Sequence, residues 1–163
     1  LGLTPSQLGF GLTFIAIWNL LTLNLSGSLS DKWGRKTVIV PASILSGVAL
    51  VTYTFSGSYA FFLFSAALLG IGTGLSGPAP AAYVADLAKP GQTGITLGLY
   101  RTLSDVGMSA SPVLLGWIVD RFGFSQALYL NAIMYVIAGA AFGLFAQETV
   151  KRETAPKQSP RPA

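Results

Sequence analysis

The chain of 163 residues carries few charges: Asp, Glu, Lys and Arg make up 10% of it, and its net charge is +4. No Asp, Glu, Lys or Arg occurs at 1–30 or at 37–85, and uncharged runs of that length are typical of membrane-spanning helices. The chain contains no cysteine and no histidine, which excludes disulfides, thiol chemistry, zinc sites built on those residues and a histidine proton switch. We therefore predict an all-α membrane protein.

Five transmembrane helices are predicted in chain order. The third carries Ala66, Gly70 and Gly74 at four-residue spacing, which predicts close packing against another helix. Its Gly- and Pro-rich second half indicates either a bend that flexes or static kinks. The membrane domain is predicted at 1–147, with spans at about 6–27, 37–55, 59–83, 96–119 and 125–145. Residues 148–163 are predicted to form a polar, disordered tail.

The positive charges indicate an orientation. If the five spans alternate across the membrane, nine of the ten Lys and Arg residues lie on the side that holds 31–36, 85–101 and the tail, and Arg121 lies on the other. Because Lys and Arg are enriched in cytoplasmic loops, we predict a plasma (inner) membrane protein whose 31–36 segment and C-terminus are cytoplasmic. The basic residues form no helix face, so the lipid bilayer is an expected partner and nucleic acid is not.

A weak internal repeat relates 27–34 to 116–123. At an offset of 89 residues, glycine, an aliphatic residue, aspartate, a base, an aromatic residue and glycine recur in the same order. Inverted repeats of three helices are typical of secondary transporters, and this repeat would place one further span before Leu1. The alternative is that any tight connection between spans favours Gly and Asp.

Residues 27–36, here named the signature segment, read Gly-Ser-Leu-Ser-Asp-Lys-Trp-Gly-Arg-Lys. This pattern resembles the signature cytoplasmic loop of transporters of the major facilitator superfamily. The run 100–107, followed by Pro112 and Gly116, is also similar to that family. The positions that fill the pattern are Gly27, Leu29, Ser30, Asp31, Lys32, Gly34, Arg35 and Lys36.

The resemblance implies five helices of one half of a twelve-helix bundle, either helices two to six or helices eight to twelve. The third span has no arginine and the chain ends in a polar tail, and both features favour helices eight to twelve. The family implies a secondary active transporter that moves a small solute by alternating access, with coupling to protons left open. The missing half of the same transporter is then a partner.

The alternative function is a non-transporting membrane scaffold or interaction protein with the same fold. An enzyme is not expected, because the chain lacks a histidine base and a second buried acid. No cofactor and no metal ion are expected either.

The signature segment is the first candidate site, because the family implies that it latches the cytoplasmic side. Asp31 can accept hydrogen bonds from the N-terminal amides of a neighbouring helix, one that this chain does not contain. Lys32, Arg35 and Lys36 are expected to stay near anionic headgroups. The alternative is a solvated loop that only sets the orientation.

Arg101 and Asp105 are the second candidate site. Their four-residue spacing predicts an ion pair along the fourth span, and the family implies a gate pair that meets the absent half. Proton coupling at Asp105 is a sharper alternative, although a nearby arginine favours the charged carboxylate. Other polar residues at helical spacing are candidates for lining a cavity, but interhelical hydrogen bonds explain them equally well. They are Asn19, Thr22, Ser26, Ser104 and Ser111.

Overall fold

The computed structural model of the protein describes residues 2–147, so the predicted tail at 148–163 lies outside the described residues. The described part contains six α-helices and no β-strand. The helices are α1 (Pro5–Trp33), α2 (Arg35–Thr54), α3 (Tyr59–Ser76), α4 (Ala79–Leu87), α5 (Thr93–Phe122) and α6 (Phe124–Phe145). The predicted all-α fold is confirmed.

Five stretches are long and apolar enough to cross a membrane, namely α1, α2, α3 together with α4, α5, and α6. The predicted five-helix bundle is therefore confirmed. Helices α1 and α5 are longer than the spans predicted at 6–27 and 96–119. With 29 residues, α1 exceeds the 20 or so that a bilayer core requires. Its last turns therefore continue past the predicted end of the span as helix.

The third span is one crossing built from two helices. Pro78 and Pro80 have no backbone N–H, so the carbonyls of Gly74 and Ser76 lose their usual helical donors. The Gly77 N–H donates instead to the Gly74 carbonyl at 3.3 Å, which tightens the last turn of α3. This explains why the helix stops at Ser76 and restarts at Ala79, where sequence analysis predicted a continuous span over 59–83.

Small residues bring α1 and α3 into close contact. A Cβ atom built on Gly70 would lie 2.5 Å from the Ile15 carbonyl oxygen, and one built on Gly74 would overlap the Thr22 hydroxyl. Ala66 is fully buried on the same side of α3. The predicted close approach at four-residue spacing is confirmed, and it fixes how the signature-bearing helix sits on the third span.

Helix α5 is packed very differently, because none of its residues is buried within the described part of the chain. Its glycines have no neighbouring atoms within 4 Å of an added Cβ; they are Gly94, Gly98, Gly107 and Gly116. The helix nevertheless carries Arg101 and Asp105. A polar and glycine-rich helix face therefore stands open on one side of this bundle.

Candidate functional site

The signature segment is mostly helix and not the loop that sequence analysis predicted. Residues 27–33 form the last turns of α1, and the chain reverses at the single residue Gly34 before α2 begins at Arg35. Gly34 has φ 104° and ψ 152°, a left-handed φ that favours glycine because it has no Cβ. One glycine is enough to make the corner, so the preceding residues remain helical.

The second copy of the repeat has the same geometry. Gly123, which the offset of 89 aligns with Gly34, has φ 95° and ψ 165° and joins α5 directly to α6. Two corners of one residue each, with matching dihedral angles, favour a true repeat over the alternative of chance turn chemistry.

Arg35 lies at the centre of the site. Its Nη1 donates to Asp31 Oδ1 at 2.5 Å and to the Ser30 hydroxyl at 3.0 Å, and its Nε donates to Asp86 Oδ2 at 3.1 Å. The side chain is 15% exposed, whereas that of Asp31 is 67% exposed and that of Asp86 is 34% exposed. We name Ser30, Asp31, Arg35 and Asp86 the Arg35 cluster; it joins α1, α2 and α4.

The two ion pairs of this cluster differ in strength. A well-exposed pair contributes only about 0.2–1 kcal/mol, and the Asp31 pair belongs to this class because two thirds of that carboxylate face solvent. Charged hydrogen bonds that are better shielded contribute about 1.5–3 kcal/mol. The Arg35–Asp86 pair is the more shielded, so it is the principal link between the signature segment and α4.

Lys36 makes a second connection from the same segment. Its Nζ donates to the carbonyl oxygen of Ala146 at 3.2 Å, directly after the last residue of α6. The C-terminus of a helix carries a partial negative charge, which a lysine ammonium group stabilises. The consecutive bases Arg35 and Lys36 therefore hold the ends of α4 and α6 to the same corner.

The remaining signature positions have other surroundings. Ser30 and Gly34 are buried, Gly27 and Leu29 are half-buried, and Lys32 is exposed. A Cβ atom added to Gly27 would have no neighbour within 4 Å in the described residues, so this glycine makes no close helix contact there. Of the three bases, Lys32 is exposed within residues 2–147, whereas Arg35 and Lys36 are half-buried; their expected place near anionic headgroups stays a prediction.

The predicted ion pair of Arg101 and Asp105 is not formed among residues 2–147. Both residues are exposed on the open face of α5. The ion pairs found within residues 2–147 are those of Arg35 with Asp31 and Asp86. Thr102, Asp105 and Ser109 line a shallow depression on this face. Helical spacing permits a pair at i and i+4 but does not require it, because both side chains reach the surface.

The residues predicted to line a cavity fall into two groups. Thr22 and Ser26 are 8% and 0% exposed and face α3, so they cannot contact a solute here. Asn19 is half-buried, and its Nδ2 donates to the Thr73 hydroxyl of α3 at 3.0 Å. For these three residues the alternative of interhelical or local hydrogen bonding fits the structure. Ser104 and Ser111 are exposed on α5 and donate to carbonyls of their own helix.

Ser26 links α1 to the end of α3. Its hydroxyl donates a short hydrogen bond to the Leu75 carbonyl oxygen, immediately before the break between α3 and α4. We expect Ser26→Ala to destabilise the folded protein by about 1–3 kcal/mol, because a buried acceptor loses its partner. The measurement is the unfolding midpoint of the purified full-length protein in detergent. Ser28→Ala is the matched control, since the exposed Ser28 bonds only within α1; equal shifts for both variants would contradict the assignment.

Sequence analysis missed Asp86 and Thr73. The predicted topology could have indicated Asp86. It is the first acidic residue after Asp31, and it follows the third span on the side of the membrane that was predicted for Arg35. Thr73 had no such signal, because a lone threonine in an apolar helix is common. Within residues 2–147 no group of three or more Asp, Glu, His or Cys side chains could hold a metal ion.

The Arg35 cluster consists of ion pairs and hydrogen bonds at one end of the bundle, and each can break and re-form without covalent change. Of the polar side chains deeper in the spans, Asn19 and Ser26 donate to α3, whereas the others named above donate to carbonyls of their own helices. Contacts of this kind hold the ends of membrane-length helices together at one end of the bundle.

Comparison with known proteins agrees with this conclusion. The chain is 25% identical over 138 residues to the uncharacterized MFS-type transporter MJ1560 of Methanocaldococcus jannaschii, covering 85% of the chain and 36% of that protein. It is 30% identical over 129 residues to the inner membrane transport protein YnfM of Escherichia coli, covering 78% and 30%. It is 25% identical over 109 residues to the arabinose-proton symporter of Bacillus subtilis, covering 67% and 24%.

The chain thus spans about a quarter to a third of the length of these relatives. Their names describe transporters and not enzymes. A sequence-family profile described as Major Facilitator Superfamily matches residues 1–163, the whole of the chain. The protein is an integral membrane protein and belongs to the Major Facilitator Superfamily.

Proposed function

We propose that the chain is one part of a secondary active transporter that moves a small solute across the plasma (inner) membrane by alternating access. The observation that carries the proposal is the Arg35–Asp86 link, which fastens the end of a broken span to the corner between two others. Family membership supports transport in general, and a relative named as an arabinose-proton symporter supports a small solute. The signature segment is assigned to the cytoplasmic side by the nine-to-one bias of Lys and Arg.

In this mechanism α4 is the moving element. The helix follows the break at 77–78, and near its C-terminal end Asp86 forms an ion pair with Arg35. Loss of a link worth about 1.5–3 kcal/mol is enough to change the balance between two conformations that differ by a few kcal/mol. Opening the link would release the cytoplasmic end of the third span while Ser26 keeps α3 in place.

The open face of α5 is proposed to border the rest of the transporter. A charged side chain that faces hydrocarbon costs about 2.5–3.5 kcal/mol near the bilayer centre, so Arg101 and Asp105 require protein or water beside them. Within residues 2–147 both side chains are exposed and no other helix buries them. Arg101 and Asp105 are then a gate pair completed by the missing half, with Ser104 and Ser111 near the solute path.

The test is solute flux by the full-length transporter in proteoliposomes. We expect uptake or efflux of at least one member of a panel of sugars, organic acids, siderophores and amphiphilic drugs, driven by an imposed gradient. Empty vesicles and vesicles with heat-inactivated protein are the controls. Absence of flux for the entire panel, with protein shown to be folded and inserted, would contradict the proposal and favour a non-transporting membrane protein.

A further inference from the structure

An apolar groove runs between α2 and α6 and has a cavity volume of about 380 Å³. Its walls include Val48, Val51 and Phe55 from α2, and Ile133, Val136 and Ile137 from α6. No Asp, Glu, Lys or Arg lines it. The groove is therefore suited to a ligand made only of hydrocarbon, and none of the family signature positions contributes to it.

The groove lies on the outer side of the bundle. Ala42 and Ser46 of α2 face α3, because a Cβ atom added to Gly72 would lie 3.2 Å from the Ala42 oxygen and 2.9 Å from the Ser46 nitrogen. At 100° per residue, Val51 lies about 140–180° around the helix from these two positions. The opening thus points away from the third span.

The packing of α2 and α6 explains why a gap remains. The helices touch closely at Gly47, where an added Cβ would lie 3.0 Å from the Ala132 oxygen, and near Gly139, which faces Ser43 Cβ at 2.9 Å. Beyond Gly47 the walls are joined again where the Thr54 hydroxyl donates to Tyr129 Oη at 3.0 Å. Between these two contacts the side chains leave a slot that neither helix fills.

We propose that this slot holds one acyl chain of a bilayer phospholipid, bound more persistently than the surrounding lipid. An empty slot would forfeit dispersion contacts along both walls, and water would gain few hydrogen bonds there. From Gly47 to Phe55 the slot extends along eight residue steps, or about 12 Å. The walls meet at Gly47 and again at Thr54, so a helix about 10 Å across cannot enter between them, whereas a single hydrocarbon chain can.

Polar groups at the slot are consistent with this occupant. The Thr52 hydroxyl donates to the Ala49 carbonyl of its own helix at 2.7 Å, so this donor needs no hydrogen bond from a ligand. The Thr54–Tyr129 pair stands at the end of the slot near the helix ends, where an interfacial tyrosine is favoured. The proposal depends on the membrane location of the helices and not on transport.

The test is photolabelling of the full-length protein in nanodiscs of phosphatidylcholine and phosphatidylglycerol. A small fraction of the phosphatidylcholine carries a diazirine at the end of one acyl chain, and labelled residues are mapped by mass spectrometry. We expect labelling at Val48, Val51 and Ile133 at least fivefold above Ile44 and Leu130, which are exposed on the same helices outside the slot. Val51→Phe should fill the slot and lower labelling of Ile133 at least fivefold, whereas Ile44→Phe should not.

Both variants must first elute from gel filtration as the parent protein does. If Val51→Phe misfolds, Ile133→Phe takes its place, and labelling is then measured at Val48. Equal labelling of slot and control positions would overturn the proposal in favour of ordinary annular lipid. Protection of the slot together with a protein–protein cross-link across it would overturn it in favour of a second copy or a partner helix.

Discussion

Arg35→Ala is expected to lower the solute flux of the full-length transporter at least tenfold while leaving its amount in the membrane near the parent level. The substitution removes the donor to Asp31, Ser30 and Asp86 together, so the end of α4 is no longer fastened to the signature segment. A tenfold change corresponds to about 1.4 kcal/mol, which lies at the lower edge of what charged, partly shielded hydrogen bonds contribute.

Two further variants make this result specific. Arg35→Lys keeps the charge, but its three N–H groups share one nitrogen and cannot reproduce the spacing of Nη1 and Nε, so we expect flux between that of the parent and that of Arg35→Ala. Lys32→Ala is the matched control, since Lys32 is an exposed base in the same segment. It should transport at the parent rate. A similar loss in Lys32→Ala and Arg35→Ala would show that positive charge in the segment matters and that the cluster geometry does not.

Gly70→Ala is expected to have a large effect on folding. The added Cβ would lie 2.5 Å from the Ile15 oxygen and 2.8 Å from Trp18 Cβ, so α1 and α3 must separate. Overpacking of a close contact costs about 1–3 kcal/mol. Here the added Cβ would overlap the backbone of α1, which cannot rotate away as a side chain could. The measurement is the fraction of monodisperse protein after detergent extraction, together with its unfolding midpoint.

Gly9→Ala on α1 is the control, because an added Cβ there has no neighbour within 4 Å in the described residues. Alanine has the higher helix propensity, so Gly9→Ala should be neutral or mildly stabilising. If both variants lowered the midpoint equally, loss of glycine flexibility and not steric overlap at the α1–α3 contact would be the cause.

The sequence was sufficient to predict the elements whose signal is local. Long apolar runs predicted the five spans, and the spacing of Gly70 and Gly74 predicted the close helix contact. Neither feature depends on knowing which helix is the neighbour. The signature segment was misread as a loop because glycine and charge usually mark turns, whereas Gly34 alone makes the corner and residues 27–33 stay helical.

The pairing of Arg35 with Asp86 could not be predicted in the same way. The two residues are 51 positions apart, and their meeting depends on the packing of α4 against the signature segment. The same limit applies to the polar stripe on α1. Its spacing is identical whether the stripe faces a cavity or another helix, and only the position of α3 shows that Thr22 and Ser26 are covered.

The corners at Gly34 and Gly123 have a mechanical consequence. Each connects two membrane-length helices through one residue, whereas residues 55–58 and 88–92 connect the others through longer segments. A single connecting residue leaves almost no slack, so tilting α1 must carry the start of α2 with it, and tilting α5 must carry α6. The chain is thereby divided into two stiff helix pairs, α1–α2 and α5–α6, with the broken third span between them, and hinge motion is expected at residues 55–58, 77–78 and 88–92.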